Sequence, residues 1–474
     1  MNRLAIFLLA LFGFSCSQAQ QKLTEACPLP EYDDRDDVEC GYISVPENRK
    51  DPHTRQIKLA YLVLKARSGN PKSDPIVYLQ GGPGGATLPM ANYWENSPLR
   101  INRDFILIDQ RGTGFSNAVC TDLGDKLLEV LAEDLTVEEE KEAMLKVAKG
   151  CKAELKKEGV DQAGYNTIAN AQDLDDLRKA LGHEKWNLFG GSYGSRLALA
   201  YMRDFPQHTR TSIMSGMFPP QVNLYEHFVS NFSRSLELTF AACAENESCS
   251  RRYPNFKEDY YAVFESLKKK PVTFSWGGEP FTLNAQDLLL FTHQMLYTRN
   301  TIGQVPAYIK AIQEKDDEVL AAAVQPLAGR ARLINIAMNW SFNAHDEYTF
   351  SQQAEFQADL DRNARLKPGP AFFSSDPDVL EQWHPHRAPA YVNEPVKSAI
   401  PSLVANGNFD PITPPANAEA TVKHLDKAYY TVFPTDGHSV FGTCYFGIVQ
   451  DFLKDPDSQP DMNCAKRKRR IDWQ

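Results

Sequence analysis

A chain of 474 residues is longer than one ordinary domain, and with 42% hydrophobic residues it has enough apolar material for a full core. The formal net charge of −10 argues against nucleic acid as the main partner, because binding phosphates needs a basic face. The one basic run, Lys466 to Arg470, reads as a solvated tail.

The N-terminus has the pattern of an export signal over residues 1–19: Arg3, the apolar stretch Leu4 to Phe14, then small and polar residues. That stretch is too short to span a bilayer, so no membrane span is expected. Two processing routes stay open. Ser17-Gln18-Ala19 suits simple cleavage, whereas Gly13-Phe14-Ser15-Cys16 is a loose lipoprotein box that would leave a lipid anchor on Cys16. Either route places the chain in the periplasm or outside the cell.

There are nine cysteines, and those beyond Cys16 are even in number, which suits disulfides in an oxidising compartment. Nearest-neighbour pairing would join Cys27–Cys40, Cys120–Cys151, Cys243–Cys249 and Cys444–Cys464, with other connectivities left open. A zinc site is disfavoured because no Cys-x-x-Cys pair occurs.

Taken in order, Cys27 to Pro52 is polar and turn-rich, and Val45-Pro46-Glu47-Asn48 marks a strand-to-loop boundary. Gln56 to Lys65 alternates like an antiparallel strand. Pro75 to Leu79 and Phe105 to Ile108 are short unbroken apolar runs, as fully buried central strands are. The first leads into Gln80-Gly81-Gly82-Pro83-Gly84-Gly85, whose backbone N–H groups are unobstructed by side chains. The second ends in Asp109-Gln110-Arg111-Gly112-Thr113-Gly114-Phe115-Ser116, where Asp109 and Arg111 read as ionic braces of a loop. Val137 to Lys149 predicts an acidic surface helix, and Thr167 to Leu181 an amphipathic one stopped at Gly182.

Trp186 to Phe189 then runs into Gly190-Gly191-Ser192-Tyr193-Gly194, and a helix-forming stretch follows to Arg203. A strand turning sharply into a helix forces its apex into strained geometry and needs small neighbours. The apex also lies at a helix N-terminus, where free N–H groups favour an oxyanion. This βαβ rhythm predicts an α/β fold: a mostly parallel sheet with helices on both faces.

From Pro219 to about Pro395 the rhythm gives way to aromatic-rich helical segments (Phe228 to Phe240, Tyr260 to Leu267, Leu288 to Tyr297, Tyr308 to Ile312) joined by Pro/Gly loops without strand alternation. The expected organisation is a leader (1–19), a first core part (20–218), a mostly helical cap (219–395) and a second core part (396–474). In the last, Ile400 to Ala405 and Ala428 to Phe433 are strands. They end in Asn406-Gly407-Asn408-Phe409-Asp410 and Pro434-Thr435-Asp436-Gly437-His438-Ser439, and a helix closes the chain near Tyr445 to Leu453.

A hydroxyl is a poor nucleophile until a base takes its proton, and the base needs an acid to hold its tautomer. Ser192, Asp410 and His438 occur in the order serine, acid, histidine, each just past an expected strand.

At this point the chain resembles the prolyl aminopeptidase and tripeptidyl aminopeptidase family of α/β-hydrolase serine peptidases. The resemblance is carried by Gln80-Gly81-Gly82-Pro83-Gly84, the stretch Asp109 to Ser116, Leu174-Asp175-Asp176-Leu177-Arg178-Lys179-Ala180-Leu181-Gly182 and the Ser192 elbow. The cysteine-rich exported chain with Asn408-Phe409-Asp410 and Gly437-His438-Ser439 looks closest to the tripeptidyl-aminopeptidase-like branch. The resemblance implies an α/β-hydrolase fold with an inserted cap. It implies Ser192 as nucleophile, Asp410 as acid, His438 as base, and an oxyanion hole from the backbone N–H groups of Gly82 and Tyr193. It also implies an exported aminopeptidase acting on peptides with a free N-terminus, with proline or tripeptide selectivity, and needing no metal or organic cofactor.

Two departures stand out. The glycine loop begins with Gln80 where the family commonly has His. The cap lacks the branch's Cys-x-Glu element, and the nearest acids, Asp346 and Glu347, are the candidates offered for the substrate amine. Two rival readings remain: a carboxylesterase with the same triad, and a non-catalytic cell-envelope binding protein that keeps the fold.

Overall fold

The computed structural model describes residues 22–23, 25–374, 376–384 and 386–474. The expected leader at 1–19 and Cys16 lie outside the described residues. The chain builds one large sheet from β1 (Lys22–Leu23), β2 (Val38–Pro46), β3 (Gln56–Leu64), β4 (Ile76–Leu79), β5 (Phe105–Ile108), β6 (Trp186–Gly191), β7 (Thr209–Ser215), β10 (Ser402–Gly407) and β11 (Ala428–Phe433). A separate two-stranded hairpin, β8 (Val272–Trp276) and β9 (Glu279–Leu283), lies in the inserted segment.

The order across the large sheet is β1-β2-β3-β5-β4-β6-β7-β10-β11. The strands from β5 to β11 pair in parallel, while β1, β2 and β3 add antiparallel pairs at one edge. Both faces are covered, which is why β4 and β5 are apolar at every position. Alternate residues divide between the faces. Val77, Leu79, Ile106 and Leu188 pack with Leu174, Leu177 and Leu197 of the helices on one side. Ile76, Tyr78, Phe105 and Phe189 pack with Tyr445, Ile448 and Phe452 of the closing helix on the other.

Between β7 and β10 the chain is mainly helical, and Phe232, Leu236, Tyr260, Phe264, Leu288 and Phe291 there form an apolar cluster that also takes in Leu128, Leu131, Phe409 and Trp473. The hairpin there is a departure from the sequence expectation. Gly277 and Gly278 take φ of 62° and 92°, the left-handed pair that a tight hairpin turn needs, and the Gly-Gly dipeptide is the sequence signal for that turn. Strand β2 also replaces part of the expected turn-rich segment. Tyr42, Ser44 and Pro46 disguise it, yet it pairs with β3 along its whole length because its buried positions alternate.

All four nearest-neighbour disulfides are formed: Cys27–Cys40, Cys120–Cys151, Cys243–Cys249 and Cys444–Cys464. No helix among the described residues is long and apolar enough to cross a membrane.

The basic run near the C-terminus is not wholly solvated. Arg469 folds back to pair with Asp436 and lies over the Phe433 ring, because Asp436 is a buried carboxylate that needs cations and also meets Arg299 at 3.3 Å.

Candidate active site

Strand β6 runs directly into the helix Tyr193–Asp204, with Ser192 at the turn in the sparsely populated geometry φ 56°, ψ −127°. The surrounding chain holds it there. The Ser192 N–H donates to the Ser215 carbonyl at 2.9 Å. The Ser195 hydroxyl donates to the Ser192 carbonyl at 2.6 Å and accepts the Phe218 N–H at 2.9 Å. The flanking glycines are required by close approach. A Cβ on Gly190 would sit 2.3 Å from the Gly194 carbonyl oxygen, and one on Gly194 would sit 1.9 Å from that of Leu79.

Asp410 lies just past β10 and is fully buried. Its Oδ1 accepts the N–H groups of Ile412 and Thr413 at 3.0 and 2.8 Å. Its Oδ2 accepts the Thr413 hydroxyl at 2.8 Å and faces His438 Nδ1 at 2.8 Å. An acid on Nδ1 keeps the proton there, so Nε2 is left as the basic nitrogen. The two loops meet through glycine: a Cβ on Gly407 would lie 1.9 Å from the Gly437 carbonyl oxygen.

The imidazole packs on Gly216, where a Cβ would lie 2.9 Å from its Cε1. Gly216 directly follows Ser215, the residue whose carbonyl anchors Ser192, so the ring stands beside the elbow. Tyr297 meets the ring edge-on, centroid to centroid 4.8 Å.

The glycine loop after β4 closes the third side. A Cβ on Gly81 would come within 3.0 Å of the Ser192 Cβ. Gln80, where the family has His, accepts the Tyr78 hydroxyl at 2.7 Å and the Gly81 N–H at 3.1 Å. Among the described residues the Gly82 N–H has no backbone acceptor. Tyr193 opens its helix, so its N–H has none within that helix. Ser192, Gly81, Gly82, Thr413 and His438 all line one cavity of about 440 Å³. The cavity opens at the carboxyl ends of the parallel strands, where open α/β sheets bind ligands.

Residues 74–280 match the family described as alpha/beta hydrolase fold, and residues 372–464 match the TAP-like proteins. The chain has the α/β-hydrolase fold. This hydrolase is 30% identical over 197 residues to the tripeptidyl aminopeptidase of Streptomyces lividans, covering 39% of this chain and 36% of that protein. It thus spans about a third of that relative's length. It is 24% identical to a probable proline iminopeptidase of Leptolyngbya boryana, covering 81% of this chain and 87% of that one. The putative hydrolase YuaR of Escherichia coli (strain K12) is 23% identical, with 97% and 96% covered.

Asp346 and Glu347 of the hydrolase do not reach the cavity. Both are buried and occupied by protein. Asp346 accepts the Thr167 N–H at 2.8 Å and meets His345 Nδ1 at 2.6 Å. Glu347 pairs with buried Arg196 and accepts the Leu224 N–H. The reason is positional: the helix Ile336–Asp346 ends against the elbow helix, where Arg196 donates to the Asp346 backbone carbonyl and is neutralised by Glu347.

Asp109 and Arg111 brace loops. Asp109 accepts the N–H groups of Thr87, Leu88 and Phe115, and Arg111 makes a two-pronged pair with Asp173 at 2.7 Å for each contact.

Two charged residues that the sequence did not single out line the cavity instead: Asp376 and Arg330. Asp376 is bonded to Trp340, has no cation partner among the described residues, and is pushed by burial, with a smaller push from Glu140, up to about 7. No spacing or motif marks either residue. Their position depends on how the inserted helices fold over the sheet.

Proposed function

We propose that this hydrolase is an exported serine aminopeptidase that releases N-terminal residues or short peptides through an acyl-enzyme on Ser192. The observation that carries the reading is Asp376, a carboxylate without a cation that lines the same cavity as Ser192 and His438. A free α-amino group is cationic near neutral pH and needs such an anion, whereas a simple ester does not. The names of the relatives, tripeptidyl aminopeptidase and proline iminopeptidase, support the same class. The four disulfides support an oxidising compartment.

In this mechanism His438 Nε2 takes the proton of the Ser192 hydroxyl as Oγ attacks the scissile carbonyl. The N–H groups of Gly82 and Tyr193 receive the resulting oxyanion. His438 passes the proton to the leaving amine, and water then clears the acyl group by the same route in reverse. Asp410 holds the imidazole in the tautomer this requires. The inserted segment 219–395 acts as the cap over the core parts 20–218 and 396–474, and it supplies Asp376.

The test is incubation with a mixed peptide library, with new termini read by mass spectrometry, beside the same peptides N-acetylated. Cleavage should be confined to free amines. Ready hydrolysis of acyl esters with no cleavage of free-amine peptides would replace this reading with a carboxylesterase. A protein that fails to react with a fluorophosphonate at Ser192 would be a binding protein.

A further inference from the structure

The cavity lining carries a cationic side chain, Arg330, and an acidic one, Asp376, and they do not pair with each other. Arg330 meets no carboxylate among the described residues. Its guanidinium donates to Gln294 Oε1 and lies 3.8 Å from the centroid of the Tyr297 ring. A cation and a carboxyl group that both lack an ionic partner and face one cavity are costly unless a ligand supplies both partners. We infer that Arg330 binds the C-terminal carboxylate of short peptide substrates, so that the enzyme reads both ends and acts on small oligopeptides rather than on the ends of long chains.

Which wall each charge stands on sets the direction. Arg330 stacks on Tyr297, and Tyr297 meets His438 edge-on at 4.8 Å. The leaving amine takes its proton from His438, so the departing half of the peptide lies on the imidazole's flank, and Arg330 is on that flank. Asp376 acts on a different set of groups, Trp340 and Tyr225, and belongs to the acyl half. A cavity of about 440 Å³ is of the size that encloses a small molecule. The inference rests on the aminopeptidase reading, since it takes the amine at Asp376 as given.

The experiment takes a short peptide cleaved in the library assay and compares it as free acid and as C-terminal amide. A third substrate is the amide with glutamate placed after the cut. The free acid should be cleaved with roughly tenfold or greater advantage in kcat/KM, the size of a lost hydrogen-bonded ion pair, and the difference should lie mainly in KM. Arg330→Gln should bring the acid-to-amide ratio to about one, and Arg330→Lys should restore part of it.

Equal cleavage of acid and amide by the unaltered enzyme overturns the inference. So does an Arg330→Gln variant that lowers both rates while keeping their ratio, which would mean that Arg330 only steadies Tyr297 and His438. Full recovery with the glutamate amide would assign Arg330 to a side-chain carboxylate and also overturn it. If no free-amine peptide is cleaved at all, the aminopeptidase reading itself has failed, an outcome visible before any ratio is measured.

Discussion

The Oδ2 of Asp410 lies 2.8 Å from Nδ1 of His438, and the same oxygen accepts the Thr413 hydroxyl at 2.8 Å. The acid is therefore fixed from two sides before it meets the imidazole. Asp410→Asn keeps the shape but can turn an amide N–H toward Nδ1, which favours the wrong tautomer. The variant should fold and lose turnover by roughly 10³–10⁴-fold. Steady-state kinetics beside a thermal melt checks this, and a drop of less than tenfold would remove Asp410 from the catalytic set.

Ser192 sits at φ 56°, ψ −127°, where a side chain is strained and glycine is not. Ser192→Gly should be more stable than Ser192→Ala by about 1 kcal/mol, and both should lose turnover by roughly 10⁶-fold and all labelling by a fluorophosphonate. Denaturant midpoints of the two variants decide the stability half. Residual labelling of either would point to another nucleophile.

Burial holds the Asp376 carboxyl at about 7, against an ordinary value of 3.8. Between those values the folded protein keeps a proton that the unfolded chain has released, so this group's contribution to stability is full below pH 4 and is lost as the pH rises to 7. Asp376→Asn should therefore be more stable than the parent at pH 8, by up to about 4 kcal/mol, with the gain shrinking toward zero at pH 4. It should also cleave free-amine peptides at least about tenfold more slowly while sparing simple esters. Urea midpoints at both pH values check the first half. A gain that does not change with pH would contradict it.

Glu347 is the only carboxylate paired with Arg196 among the described residues, and both are buried. Glu347→Gln leaves a buried cation without its anion and should cost about 3–5 kcal/mol. The ratio of free-amine to N-acetylated peptide cleavage should stay as it was. A variant of normal stability that has lost that ratio would return Glu347 to the role of amine reader.

The sheet was legible from the chain because unbroken apolar runs such as Ile76–Leu79 and Phe105–Ile108 leave little choice but burial on both faces. The elbow was legible because strand, glycine-flanked serine and helix are contiguous, so local sterics alone define the turn. The order Ser192, Asp410, His438 could likewise be read as strand ends. The nearest-neighbour cysteine pairs were readable as a proposal and formed as such.

What local pattern could not decide was which charges face the cavity. Asp346 and Glu347 are the acids nearest to where the branch has its Cys-x-Glu element, yet groups far away in the chain occupy them: Arg196 pairs with Glu347, and the Thr167 N–H is accepted by Asp346. Asp376 and Arg330 carry no signature, and they face the cavity because inserted helices close over the sheet. The sequence by itself determined the central parallel strands and the turn at Ser192, since these follow from neighbours along the chain. Only the tertiary structure decided which carboxylate stays unpaired, because pairing depends on which residues distant in sequence come within reach of one another.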